Sequence, residues 1–229
     1  MGPMRPFPPP SKEALTAFIY HSVQLERLPI TFGDIGKSMT LKETDADIDP
    51  HACGHFKAIN HVLKIAKEDD LLKDIEWTKT LHRLLFEPIV RHDWITVSDQ
   101  PYPAAAVGTY RSTDKFIGNT RMPNPFQIPR LMEELRVKLL RLDQRLATKM
   151  TNARLLTPED LKDIRTTAHM ANLDICCIKP FLDGSNRVGR LVENCLRLHW
   201  LMPWQVFSSE PNPKDDLIEE LEAHQRLFK

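Results

Sequence analysis

The residues between Lys179 and Arg190 have the types and spacing of a phosphate-binding site. The stretch is Lys-Pro-Phe-Leu-Asp-Gly-Ser-Asn-Arg-Val-Gly-Arg, between two segments with helical periodicity. Gly184 permits a tight turn with positive φ, and the residues after it open a helix whose first backbone N–H groups lack intrahelical partners. Such donors, together with the helix dipole, bind phosphate oxygens. Arg187 and Arg190 are three positions apart, so both guanidinium groups project from the same side of that helix.

A carboxylate comes directly before this turn. Asp183 has the chemistry of a ligand for a divalent cation that bridges phosphates. The alternative is an ordinary helix-loop-helix, in which Asp183 caps the second helix and the two arginines are solvated. The residue types of this stretch do not by themselves decide between the two interpretations.

A second group of residues has metal-ligand types, in the pattern His51-x-Cys53-x-His55. No fourth ligand is evident in the sequence, and spacings of one suit a strand or loop. The apolar positions that follow have helical spacing, which favours ordinary polar residues at the start of a helix over a metal site.

The elements that must position these residues are almost all helical. Apolar periodicity, cap residues and prolines predict an all-α domain with one β-hairpin. The hairpin is predicted from two short β-branched and aromatic runs, 107–111 and 115–118. The predicted helices cover roughly 11–27, a short segment from Thr31, 51–68, 74–90, 129–146, 157–178, 186–201 and 213–228.

The composition of the chain limits the classes of molecule that the protein is expected to bind. The chain has 31 basic and 31 acidic residues, and this balance argues against nucleic-acid and membrane-surface binding. No apolar run approaches the roughly 20 residues of a membrane span. Four cysteines and no apolar leader indicate a cytoplasmic protein with reduced thiols. We expect a flexible Pro-rich arm over 1–10 and a single domain over 11–229.

The stretch at 179–190 resembles the motif of the Fic (filamentation induced by cAMP) family, His-x-Phe-x-Asp/Glu-Gly-Asn-Gly-Arg-x-x-Arg. The similarity continues at Tyr110-Arg111, at Ile117-Gly118, from Pro123 to Leu135 and from Leu81 to Leu85, and it covers roughly residues 15–205. The motif residues that match as they stand are Pro180, Phe181, Asp183, Gly184, Arg187, Gly189, Arg190 and Leu191.

This resemblance implies a Fic-fold helical bundle that transfers AMP from ATP, with Mg²⁺, to a hydroxyl of a protein target. Asp183 would bind the metal. The hairpin would serve as a flap that holds the target by strand pairing, and a homodimer is left open. The implied phosphate-binding residues are Gly184, Ser185, Asn186, Arg187 and Arg190. The implied flap residues are Phe116, Ile117, Gly118, Asn119 and Thr120.

A second match lies near the N-terminus. Ser22-Val-Gln-Leu-Glu26 resembles the family's inhibitory helix, Ser/Thr-x-x-x-Glu-Gly/Asn, although Arg27 departs from it. In that mode Glu26 would pair with Arg190 and deny it to the outer phosphate of the nucleotide. The alternative is a surface glutamate on an amphipathic helix.

The departures from the family motif fall on the chemistry. Lys179 stands where the family has the histidine that deprotonates the incoming hydroxyl, and a protonated lysine accepts no proton. Ser185 replaces the family's Asn, and Asn186 replaces its second Gly. We therefore expect an adenylyltransferase with impaired or altered transfer, autoinhibited through Glu26. The alternative is an inactive Fic-fold module that binds a nucleotide or a protein.

Overall fold

The helical architecture predicted from the sequence is confirmed. The computed structural model describes residues 9–40, 48–91, 102–149 and 156–208. Most of the predicted arm and the whole predicted helix at 213–228 lie outside these residues. The helices are α1 (Lys12–Gln24), α2 (Phe32–Ser38), α3 (Pro50–Ile65), α4 (Trp77–Arg91), α5 (Ile128–Leu146), α6 (Pro158–Ile178) and α7 (Ser185–His199). Two strands, β1 (Phe116–Ile117) and β2 (Thr120–Arg121), form an antiparallel pair.

Side-chain caps fix where several helices begin. The Ser11 hydroxyl accepts a hydrogen bond from the backbone N–H of Ala14 at the start of α1. Thr31 and Thr157 each form a reciprocal capping box with the aspartate three residues later. A cap satisfies a backbone N–H that has no intrahelical partner and so favours a helix start at that position. The helix starts predicted at these three positions are confirmed.

The predicted hairpin is confirmed as an element but was partly misplaced. Its strands lie within 116–121, around a turn in which Gly118 has φ 55°, and residues 107–111 form no strand. The N–H of Gly108 donates to Nδ1 of His82, and the N–H of Arg111 donates to the carbonyl of Pro180. These two donors are therefore bound to α4 and to the loop after α6, and two others of the segment are bound within its own turn, which leaves them unavailable for a ladder.

The ends of two helices also differ from the prediction. The first helix ends at Gln24, and Glu26 lies in the turn after it. Arg27 has φ 60°, a left-handed conformation that favours Gly or Asn over other residues. The last described helix ends at His199, and Leu201 has φ 58°. A left-handed residue follows each of these two helices, and such a residue cannot continue a right-handed helix.

The core lies around α6 and α7, whose apolar side chains are buried with those of α1, α3, α4 and α5. α6 and α7 approach closely at Gly189, where an added Cβ would stand 2.4 Å from Oδ1 of Asn172. α5 is joined to the end of α7 by Asp143, which accepts hydrogen bonds from Trp200 at 2.9 Å and His199 at 3.1 Å. No helix in the described parts of the chain is long and apolar enough to span a bilayer.

Candidate functional site

The loop between α6 and α7, residues 179–184, is called the motif loop below. It begins at Lys179, which caps α6 in a left-handed conformation with φ 48°. The buried guanidinium of Arg111 donates to the carbonyls of Lys179 at 2.7 Å and Pro123 at 2.6 Å. This arginine therefore joins the end of α6 to the chain that follows the hairpin, and it fixes the path of the motif loop.

Gly184 ends the motif loop and precedes the first turn of α7. Its φ of 75° is left-handed, and an added Cβ would stand 2.3 Å from Cε2 of Phe86. Both the backbone angle and the space therefore require glycine. The Gly184 N–H donates to Oδ1 of Asp183 at 2.6 Å. Among the described residues, no side chain caps α7, so the N–H groups of its first turn remain available to an anion.

The residues that depart from the family motif make contacts within this loop. The Lys179 ammonium donates to Oδ1 of Asn186. The Ser185 hydroxyl accepts the N–H of Phe181 at 3.2 Å and is buried. Lys179 is thereby held beside the first turn of α7, while Ser185 stabilises the loop from within.

Arg187 lies inside the protein, below the motif loop. Its Nη2 is 3.4 Å from Oδ2 of Asp183, and its Nη1 donates to Nδ1 of His51 at 3.3 Å. The guanidinium also lies 4.5 Å from the ring centroid of Phe86, in cation–π geometry. The buried Nε has no hydrogen-bond partner in the described structure. These contacts fix the guanidinium in place beneath the motif loop.

Arg190 is bound to the segment near the N-terminus that contains Ser22 and Glu26. Its Nη2 contacts Oε1 of Glu26 at 2.8 Å and the carbonyl of Ser22 at 2.9 Å, and its Nε donates to the Ser22 hydroxyl at 3.0 Å. Burial acts to raise the pKa of Glu26, but the charges of Arg190 and Arg187 outweigh it and hold that pKa below its usual range. Glu26 is therefore ionised and paired; its inhibitory role remains a prediction.

Three histidines near the site were not predicted as site residues. His82 accepts the Gly108 N–H at Nδ1, so its Nε2 carries the proton and donates to the carbonyl of Asp183 at 3.2 Å. The ring stacks on Phe181 with centroids 4.2 Å apart. His51 and His55 lie one turn apart on α3, next to the arginines of α7. His51 and His55 stood in a sequence pattern that suggested metal binding, and His82 lies in the run from Leu81 to Leu85 that carried part of the family resemblance.

The described residues contain no group of three or more His, Cys, Asp or Glu side chains that could hold a metal ion. His51 and His55 make hydrogen bonds to Arg187 and Ser22 instead. All four cysteines are buried thiols rather than disulfides. A cation at this site would therefore take its protein ligand from Asp183, whose carboxylate is 32% exposed.

The hairpin lies beside the motif loop. The Lys115 ammonium, directly before β1, donates to the carbonyl of Leu182. Phe116 and Ile117 are 58% and 49% exposed, so β1 presents apolar side chains to solvent. Phe116 pairs with Arg121 and Ile117 with Thr120, and no third strand joins this pair in the part of the chain that the structure describes.

Comparisons with solved structures identify this arrangement. A Fic domain containing signaling protein from Bacteroides thetaiotaomicron superposes with a TM-score of 0.62 and 23% identity, over 92% of this chain and 71% of that one. Fic-1 from C. elegans gives 0.64 and 14%, over 93% and 56%. A Fic family protein from Desulfovibrio desulfuricans gives 0.52 and 17%, over 95% and 55%. The chain has the Fic fold.

The Fic fold is thus recovered from structure at identities of 14% to 23%. No protein-family model matches the chain, and no curated protein matches it. The chain spans little more than half the length of the C. elegans and Desulfovibrio structures. The expected Fic fold with its hairpin is confirmed, while the roles of individual site residues stay predictions.

Proposed function

We propose that this Fic-fold protein binds ATP with Mg²⁺ at the motif loop and the first turn of α7, and that Glu26 restrains this binding. The proposal rests chiefly on the buried ion pair between Glu26 and Arg190, which joins residues 164 positions apart. A buried charge is costly unless it is paired. The buried guanidinium of Arg190, on the helix with the uncapped N-terminus, therefore requires an anionic partner. In this structure that partner is Glu26.

The phosphates would bind the first N–H groups of α7, with Arg190 on the outer phosphate once Glu26 has moved away. Mg²⁺ is commonly bound by one or two carboxylates together with substrate phosphates. Asp183 fits this pattern, because its carboxylate is partly exposed and lies at the start of α7. Bound there, Mg²⁺ would neutralise negative charge on the phosphates.

We further propose that transfer of AMP is impaired in this protein. In the reaction a target hydroxyl oxygen bonds to the α-phosphorus, the bond from that phosphorus to the bridging oxygen breaks, and pyrophosphate leaves. The hydroxyl proton needs an acceptor. The Lys179 ammonium has donors only and is held by Asn186, so it is suited to bind phosphate oxygens rather than to accept that proton.

The target would be a protein segment that adds a strand to β1. The exposed Phe116 and Ile117 and the open strand edge support this proposal. The same surface supports the alternative function, a Fic-fold module that binds a nucleotide or a protein and transfers nothing. The two functions differ only in whether a labelled product forms.

Calorimetric titration with ATP and Mg²⁺ tests the binding proposal. Because Glu26→Gly frees Arg190 for a charge-assisted bond to phosphate, we expect its affinity for ATP to exceed that of the unmodified protein by about tenfold or more. The matched control is Glu13→Gln, an exposed glutamate on the first turn of α1, which should leave the affinity unchanged. Absence of heat at millimolar ATP in both proteins, or equal affinity after Glu26→Gly, would reject the proposal.

A further inference from the structure

The two histidines of α3 contact the two arginines of α7 in different ways. His51 lies next to Arg187, which donates from Nη1 to Nδ1 at 3.3 Å. His55 reaches Arg190 through the first helix, because its Nε2 is 3.1 Å from the Ser22 hydroxyl, to which Nε of Arg190 donates at 3.0 Å. All five residues are at least 97% buried, so their hydrogen bonds are determined by one another rather than by water.

The protons of this network follow from its donors and acceptors. A guanidinium group only donates, so Nδ1 of His51 is an acceptor. The carbonyl of His51 only accepts, and it lies 2.8 Å from Nδ1 of His55, so this nitrogen carries the proton. The Nε2 of a neutral His55 then accepts the hydroxyl proton of Ser22. Consistently, burial and the charge of Arg187 lower the pKa of both histidines to about 3.

We infer that His51 and His55 are positioning residues with opposite effects on nucleotide binding. His51 holds Arg187 in place beneath the motif loop and so supports binding. His55 holds Ser22, and with it the segment that presents Glu26 to Arg190, and so supports inhibition. The inference rests on the proposed function, since it takes Arg187 and Arg190 as the phosphate-binding arginines.

Variants that keep or remove only the acceptor test the inference. His51→Asn keeps an oxygen near the position of Nδ1 and His55→Gln keeps one near Nε2, whereas His51→Leu and His55→Leu remove it. Each would be titrated with ATP and Mg²⁺ in the unmodified chain and in Glu26→Gly. Melting temperatures recorded in parallel show that each variant folds.

We expect His51→Leu to weaken ATP binding about tenfold in both backgrounds, because Arg187 loses a buried acceptor. His51→Asn should restore most of that loss. His55→Leu should strengthen binding about tenfold in the unmodified chain, because Ser22 loses its anchor, and should change nothing in Glu26→Gly. If these histidines served packing alone, both leucine variants would change the affinity for ATP in the same direction, and this result would overturn the inference. Leucine variants with the same affinity as their Asn and Gln counterparts would also overturn it.

Arginine side-chain NMR supplies a readout that needs no nucleotide. The Nε hydrogen of Arg190 should exchange slowly in the unmodified protein and in His55→Gln, and faster in His55→Leu. Rotation of the Arg187 guanidinium about Cζ–Nη1 should likewise quicken in His51→Leu. Unchanged arginine signals would overturn this inference, whereas changed signals without ATP binding in Glu26→Gly would reject only the proposed function.

Discussion

Lys179 stands where the Fic motif has a histidine, and the proposed impairment of transfer rests on this residue. Its left-handed backbone and the bonds from Arg111 to its carbonyl belong to the path of the motif loop rather than to the side chain. A different side chain can therefore be placed there without moving the loop. Under the proposed function, the loop keeps its backbone geometry while the side chain at this position lacks a proton acceptor.

Lys179→His in a Glu26→Gly background should raise the rate of protein labelling by radiolabelled ATP. A positioned general base typically contributes about 10²- to 10⁴-fold, and we expect a gain in that range over Glu26→Gly alone. Adding Arg190→Ala should remove the gain, because the outer phosphate loses its guanidinium. Labelling by the unmodified Lys179 protein at the rate of the histidine variant would contradict the proposed impairment.

The buried histidines of α3 make stability depend on pH. Their pKa of about 3 in the fold lies below the usual value of 6.5, so the unfolded chain binds more protons between these limits. The contribution of these histidines to the unfolding free energy is therefore fully present above about pH 6.5. It falls as the pH drops toward 3, by up to about 1.4 kcal/mol per pH unit for each histidine.

Urea unfolding at pH 5 and pH 7 measures this effect. The pair of substitutions His51→Asn and His55→Gln should lessen the loss of unfolding free energy between the two pH values, because neither replacement titrates. Equal losses in the unmodified protein and in the double variant would show that these histidines do not carry the pH dependence.

At the scale of elements, the approach of α6 to α7 decides the geometry of the site. α7 carries both arginines, and α6 supports it along a face where Gly189 meets Asn172. The backbone carbonyl of Asn172 would stand 3.0 Å from an added Cβ. Because backbone cannot move aside as a flexible side chain does, any residue larger than glycine must push the two helices apart.

Gly189→Ala should therefore destabilise the protein by about 1–3 kcal/mol, as overpacked cores do. The matched control is Gly36→Ala in α2, where an added Cβ meets nothing within 4 Å; this change should stabilise by about 0.4–1 kcal/mol. Thermal or urea unfolding of the two variants makes the comparison. A Gly189→Ala protein as stable as Gly36→Ala would show that the helices separate at no cost.

At the scale of the whole molecule, residues far apart in the chain surround the motif loop. α1 supplies Ser22, α3 supplies the two histidines, and α4 supplies His82 and Phe86. The hairpin segment adds Arg111 and Lys115. The proposed nucleotide site, the segment proposed to restrain it and the proposed target surface therefore all meet at one loop, so a change in any of these elements should affect the proposed phosphate site directly.

The sequence by itself determined the features that depend on neighbouring residues. Cap hydrogen bonds join positions three apart, which is why the starts at Ser11, Thr31 and Thr157 could be predicted. The turn at Gly184 follows from backbone sterics. The resemblance to the Fic motif added the fold and the expected pairing of Glu26 with Arg190, neither of which periodicity alone could supply.

Tertiary structure alone decided which side chains surround the two arginines. His51 meets Arg187 across 136 positions, and His82 meets Asp183 across 101. Such contacts depend on how helices cross, and no local pattern records that. The misplaced strand at 107–111 has the same cause: its β-branched residues favour an extended chain, but the backbone N–H groups of Gly108 and Arg111 are bound by α4 and by the loop after α6. Local hydrogen bonds can be predicted from a sequence, whereas the partners of a buried polar group are fixed only when the helices pack.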